Sequence, residues 1–501
     1  MALVHLIGGI AFAVVGYIVK IVLAAQRSPL SRLPGTWHSK YTNLVLRFHI
    51  LSGRRIFYVD DLHRIYGDVV QIAPNEVSVA DIAGVSQIHK IGSGFLKSSF
   101  YANLTPTHEP GIFAMQDPRD HTARRKLFAR AFSNSSLKGN WEAEIRLKTS
   151  LAVSQIKSNA TQPGKGADVL KWWTLMATDV ITHLSFGESF GMLEQGKQTP
   201  YIDALQAALL GGVLRAEFPL VHSLLRYLPL RGVQKMVTAD DVVYEHGAVA
   251  IRNMRSSQGN SMNLFGQMLA ASDDYEKAAL TDVAVRTEAG NLIVAGSDTT
   301  AVTLTYLVYA VLQDPALQAR LEEEVAGLSE EMTMTELETA PLLNSTIEET
   351  LRLYGAAPGA LPRIVPAQGM IVAGLQLPPG TEVSTQAYTL HRDSRIFKDA
   401  LRFDSSRFMD KSKLSAEQKI AYMPFGGGSR AMPWSEAEQL HDRGDDGDGQ
   451  SLLDRSEGPL LLRDAAVIPI IAELKIAKFT CPDDVFLRLC GLLIFCYGDW
   501  K

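Results

Sequence analysis

From Val4 to Ala25 the chain reads VHLIGGIAFAVVGYIVKIVLAA, apolar except for His5 and Lys20. At about 1.5 Å rise per residue, a helix of this length crosses a hydrocarbon core of roughly 30 Å. A cleaved signal peptide is the plainer alternative, and LAAQ faintly resembles a cleavage site. The run is longer than a signal-peptide core, however, and no basic residue precedes it. Lys20, Arg27, Arg32 and Lys40 follow it, which predicts a single-pass anchor at 4–25 with the body of the chain on the cytosolic side. In a eukaryotic cell that means the endoplasmic reticulum membrane. Pro29, Pro34 and Gly35 then make 26–45 a stiff tether.

Alternating apolar positions around Pro74 and Asn75 predict a hairpin over 67–81. Helical periodicity takes over near residue 117, with amphipathic stretches at 119–158, 166–188, 200–225 and 237–272. The stretch from Thr281 to Pro315 is apolar nearly all round, so it reads as a core helix capped by Thr281 and stopped by Pro315. A helix over 339–354 follows, then short strands and turns such as LPPGTEV (Leu377 to Val383). The fold class is mainly α with a small β portion, one large body over 46–431.

Bulk composition narrows little. The 501 residues carry a net charge of -5, which gives no reason to expect nucleic acid as a partner. All 3 cysteines, Cys481, Cys490 and Cys496, lie near the end, so they form no disulfide framework and no zinc site.

Four short motifs carry chemistry. In AGSDTT (Ala295 to Thr300), Gly296 costs a helix about 1 kcal/mol relative to Ala, and Asp298 needs a partner in an apolar setting. Thr299 can bond the carbonyl one turn back and open a bulge beside a cavity, where Asp298 and Thr299 relay protons. The plainer reading is a glycine kink in a packed helix. In EETLR, Glu349 and Arg352 share a helix face, as any surface ion pair would. FDSSRF supplies a further arginine, Arg407. In PFGGGSR (Pro424 to Arg430), three glycines allow positive φ and close backbone approach, and Arg430 offers a fork to a carboxylate. No Gly-Lys-Ser/Thr follows, so this is no phosphate loop. A flexible linker is the remaining alternative, and Pro424 and Phe425 argue against it.

In order and spacing these motifs resemble the cytochrome P-450 family of haem-thiolate monooxygenases, in the style of microsomal enzymes of filamentous fungi. The resemblance runs from the anchor to about residue 431. It implies haem as cofactor, electrons from NADPH through a separate flavoprotein reductase, and a hydrophobic small-molecule substrate of secondary metabolism. Asp298 and Thr299 would deliver protons, and Glu349, Arg352 and Arg407 would form a buried structural triad. HTARRK (His121 to Lys126) resembles the helix that meets the propionates, with His121 and Arg125 as contacts; the family often has Trp at the position of His121. Arg363, Gly296, Phe425, Gly428 and Arg430 complete the expected cofactor contacts. Phe113, Leu292, Ile293, Val294, Ala357 and Leu361 are expected to line the substrate pocket, and His391 matches a family feature of structural meaning.

One position departs. Two residues after Arg430 the family has the cysteine whose thiolate binds iron; here it is Met432, and the family's following glycine is Trp434. A thioether is neutral and raises the potential instead of favouring O–O cleavage. The codons explain the departure. Met-Pro-Trp is ATG-CCN-TGG, and read one base later it becomes TGC-CNT-GGN, which forces Cys-x-Gly. Asp445, Asp446, Gly447 and Asp448 shift in the same frame to Met/Thr-rich, less acidic codons. An extra base or a mis-set splice junction near the codon for Ala431 then leaves 432–501 as an atypical tail out of frame. The alternative is a catalytically inactive relic of the same fold. Two further classes fit less well. A membrane-tethered helical scaffold leaves Gly296, Thr299 and the triple glycine without purpose, and a family member working without dioxygen has no use for AGSDTT.

Overall fold

The computed structural model describes residues 1–105, 109–132, 134–161, 166–245, 263–273, 281–329 and 331–432. The expected acidic tail and its three cysteines lie outside the described residues, as does much of the 237–272 stretch.

The first helix, Ala2–Arg27, is as long as the apolar run predicts, and Leu6, Ile7, Ile10 and Phe12 along it are exposed. No protein surface covers these side chains, so the helix is suited to lie in lipid. The tether is two short 3-10 turns, Pro29–Arg32 and His38–Lys40, followed by helices Leu44–Leu51 and Arg55–Tyr66, which hydrophobic patterning did not single out.

The predicted hairpin forms as β1 (Val69–Ala73) and β2 (Glu76–Val79), antiparallel, with Val69 opposite Val79. All of β1 is buried. Val70 and Ile72 pack on Val59 and Leu62 of the preceding helix, while Val69 packs with Val77 and Val79 in a separate cluster. Further strands are β3 (Leu96–Lys97), β4 (Arg363–Ile364), β5 (Met370–Val372), β6 (Leu375–Leu377) and β7 (Glu382–Ser384). The main sheet runs β1-β2-β7-β4-β3, with β2 and β7 parallel, and β5 pairs only with β6.

The helical stretches break where sequence chemistry demands. Pro219 splits 200–225 into Pro200–Glu217 and Pro219–Leu225, because proline cannot donate within a continuing helix. The stretch 119–158 is likewise two helices, Pro118–Ala131 and Asn134–Ala160. The central helix is Asp282–Gln313; the Thr281 hydroxyl accepts from the Ala284 N–H at 3.0 Å, and Asp314 caps the next helix, which starts at Pro315. It packs along Val169–Phe186 in one large core. Gly296 sits at that crossing: a Cβ there would lie 3.0 Å from Ile181. Close helix approach therefore accounts for the glycine. The expected bulge is absent, since the Thr299 hydroxyl donates to the Ala295 carbonyl at 2.5 Å within an unbroken α-helix.

Candidate haem cavity

Helices from several parts of the chain and the main sheet line a cavity of about 1180 Å³. Its helical wall is the central helix, which presents Asn291, Leu292, Val294, Ala295, Gly296, Asp298 and Thr299. Ile293, expected among the pocket residues, faces away into the helical core, as the helix turn requires when its neighbours on either side line the cavity. Phe113, Ala357 and Leu361 line the opposite side. Burial pushes the Asp298 carboxyl up to about 6, placing its titration near neutral pH.

The triad assembles outside the cavity. Helix Pro341–Tyr354 holds Glu349 and Arg352 on one face, and they meet through two bonds of 2.7 Å each. Arg407 Nε donates to Glu349 Oε2 at 3.2 Å. Both Glu349 and Arg352 are buried, and Arg352 Nη1 also donates to the carbonyls of His391 and Ala400. His391 links this group to the glycine loop. Its Nδ1 bonds the Arg352 carbonyl at 2.9 Å, and its Nε2 accepts from the Met423 N–H at 3.0 Å. Burial, helped by Arg352, lowers its pKa to about 3, so it stays a neutral bridge.

The loop itself is shaped by two glycines. Gly426 and Gly428 have φ of +84° and +62°, whereas Gly427 does not. Gly428 does not line the cavity as expected: a Cβ there would stand 1.8 Å from the carbonyl oxygen of His89. Its freedom serves backbone-to-backbone packing against helix Ile82–His89. Phe425, Gly426, Arg430 and Met432 do face the cavity.

On the sheet side, basic groups gather. Lys97 on β3 stands opposite Arg363 on β4 in register, and Arg125 and Arg430 join them at the wall. Arg430 donates to the carbonyls of Met115 and Gln116 at 3.0 and 2.8 Å, and so ties the 115–116 backbone to the loop. Arg125 donates to the Ala431 carbonyl at 2.5 Å, Arg363 to the Tyr101 hydroxyl at 3.1 Å, and Lys97 to the Phe113 carbonyl at 2.7 Å. Their charges oppose one another. Burial, then Arg363, Arg430 and Arg125, hold Lys97 well below the usual ammonium range. Burial and Arg363 push Arg430 down to about 10, and burial and Arg430 lower His121 to about 3. Crowded buried cations of this kind favour an anionic ligand. Two carboxylates on a flat, apolar ring fit the cradle.

Sequence reading missed two members of this wall. Lys97 is a lone cation in the run GFLKSSF, and no local pattern marks it as a member of the wall. Glu288 is fully buried in the central helix, where Oε1 accepts from the Ile112 N–H and from Arg124 Nη1, both at 2.9 Å. It ties the 111–116 segment to the helix. A carboxylate in an otherwise apolar helix was the clue.

The remaining requirement of haem is an iron ligand, and there the fit fails. Met432 lines the cavity at the end of the loop, its N–H donating to the Phe425 carbonyl at 3.1 Å. The described residues contain no cluster of three His, Cys, Asp or Glu side chains able to hold a metal. The cradle therefore suits a ring with two carboxylates, while Met432 would offer the iron a neutral thioether in place of a thiolate.

By its family the chain is an oxidoreductase: it belongs to the cytochrome P-450 family, whose model matches residues 35–431. It is 40% identical over 422 residues to cytochrome P-450 monooxygenase cypX of Dothistroma septosporum, covering 82% of each chain. It is 40% identical to cytochrome P-450 monooxygenase aflV of Aspergillus parasiticus, covering 83% of each. At 32% identity it also matches the methylphloroacetophenone oxidase of Cladonia uncialis, over 78% of this chain and 89% of that one.

Proposed function

We propose that the gene encodes a haem-dependent monooxygenase that oxidises a hydrophobic small molecule in secondary metabolism, and that the chain as it stands has lost the iron ligand through a shift of reading frame. The observation that carries the second half is a coincidence of position: the family match ends at residue 431, one residue before Met432. The neighbouring frame forces Cys-x-Gly from the codons of Met432, Pro433 and Trp434. Sequencing the transcript across the codon for Ala431 tests this. An extra base or a misplaced junction is the expected result, and an ATG in frame with Arg430 would contradict it.

Haem with a thiolate ligand supplies oxygen activation; with Met432 in place, no step through it follows. The chain's own residues have definable tasks. Lys97, Arg125, Arg363 and Arg430 would hold the two ring carboxylates. Asp298, with its carboxyl near 6, would exchange protons at the cavity wall close to neutral pH. Thr299 lines the same wall. Phe113, Leu292, Val294, Ala357 and Leu361 would exclude water and receive an apolar substrate. The fungal monooxygenases among the relatives support the secondary-metabolite reading. Electrons would come from NADPH through a separate reductase, and the exposed first helix supports residence in the endoplasmic reticulum membrane with the catalytic body in the cytosol.

The second reading, an inactive relic, is favoured by Met432 alone. It predicts an intact cavity and triad, an ATG in frame with Arg430 in the transcript, and no thiolate signature from the expressed chain.

A further inference from the structure

A second polar region of the cavity wall has no part in the cradle. Arg55 opens helix Arg55–Tyr66, Glu76 opens β2, Glu382 opens β7, and Glu217 closes helix Pro200–Glu217. Parallel pairing of β2 with β7 sets Glu76 and Glu382 side by side. Arg47, from helix Leu44–Leu51, completes the group, and all five residues line the cavity.

The hydrogen bonds are unevenly shared. Arg55 Nη2 donates to Glu76 Oε1 at 2.8 Å, whereas Arg47 Nε stands 3.4 Å from Glu217 Oε2 as an ion pair without a hydrogen bond. Arg55 is 4% exposed, and its Nη1 is buried with no protein partner. A buried guanidinium donor left bare carries a desolvation cost of the order of a strong hydrogen bond. Such a group is expected to have a partner. The charge balance restricts what that partner is. Burial, then Glu76, pushes Glu382 up to about 8. Three carboxyl groups, Glu76, Glu217 and Glu382, stand on this wall with two guanidinium groups, Arg47 and Arg55, so the composition of the recess gives an anionic ligand no excess of cations to meet.

We propose that this recess is a substrate-recognition subsite, in which Arg55 Nη1 donates to a carbonyl or hydroxyl oxygen on an otherwise apolar, uncharged substrate. The proposal rests on the reading of the cavity as a substrate pocket. It uses only residues upstream of Ala431, so it holds in either reading frame. Apolar walls supply affinity, and the bare guanidinium proton selects compounds that carry an acceptor.

Matched probes test it: 1-acetylpyrene and 1-ethylpyrene, nearly equal in shape, titrated into the full chain in detergent and followed by pyrene fluorescence anisotropy. The ketone is expected to bind about tenfold more tightly, the gain typical of one hydrogen bond to a charged donor. Arg55→Met combined with Glu76→Gln removes the donor without stranding a carboxylate, and should bring the two affinities together. Arg55→Lys keeps a cation on Glu76 but lacks the second forked donor, so it should erase most of the preference while preserving the fold. Equal affinities in the unaltered chain, or a preference that survives in either variant, would overturn the subsite and leave the apolar pocket standing. Binding of neither probe would overturn the pocket reading and the subsite with it.

Discussion

Gly428 shows how far one residue can decide the site. It holds φ at +62°, with the His89 carbonyl where a Cβ would be. Gly428→Ala should lower stability by on the order of 3 kcal/mol, read as a shift in a denaturant midpoint. Gly427→Ala, at extended φ and 3.3 Å from His89, should cost clearly less. The glycine run was legible as a loop in the sequence, but its purpose was not. The partner across from Gly428 belongs to a helix more than 300 residues earlier, and no local pattern announces it. Asp298 makes a pH prediction. Its folded pKa of about 6 lies above the ordinary carboxyl value of 3.8. The proton therefore stabilises the fold, fully below pH 4, and that contribution is lost as pH rises to 6 by at most about 3 kcal/mol. Asp298→Asn should melt higher than the unaltered chain at pH 7, with the gap closing towards pH 4 in thermal scans. A gap independent of pH would contradict this assignment.

Between elements, the triad sets the relation of helix Pro341–Tyr354 to the loop. Glu349 neutralises two guanidinium groups while itself fully buried. Glu349→Ala strands both, and should cost about 3–5 kcal/mol in equilibrium unfolding. Spacing gave Glu349 and Arg352 one face, and the later arginine suggested a third member. Spacing could not give His391 its bond to the Met423 N–H, because that contact depends on how the chain returns. The same limit explains Ile293. An all-apolar helix does not say which face meets a cavity, and Ile293 turned out to face the core. Gly296 was read as a bulge former from its neighbours Asp298 and Thr299. The crossing helix at Ile181, invisible in the sequence, is what requires it.

At the scale of the whole molecule, an exposed apolar helix leads into a body with its own core. Deleting residues 1–27 should move the chain from a carbonate-washed membrane pellet towards the soluble fraction, and retention in the pellet would mean that other surfaces suffice for binding. Fold class, the first helix and the central helix were legible because each rests on a pattern sustained over many residues. The cationic cradle was half legible, since Lys97 is recognisable as a member only when β3 is set beside β4. The central claim is that this body retains a cavity for haem and lacks only the thiolate. The most direct measurement is the carbon monoxide difference spectrum of the reduced, haem-supplemented protein, for the chain as it stands and for the product of a one-base deletion near the codon for Ala431. A thiolate-type Soret band in the second and its absence in the first is the predicted result. A thiolate-type band from the chain carrying Met432 would contradict the account.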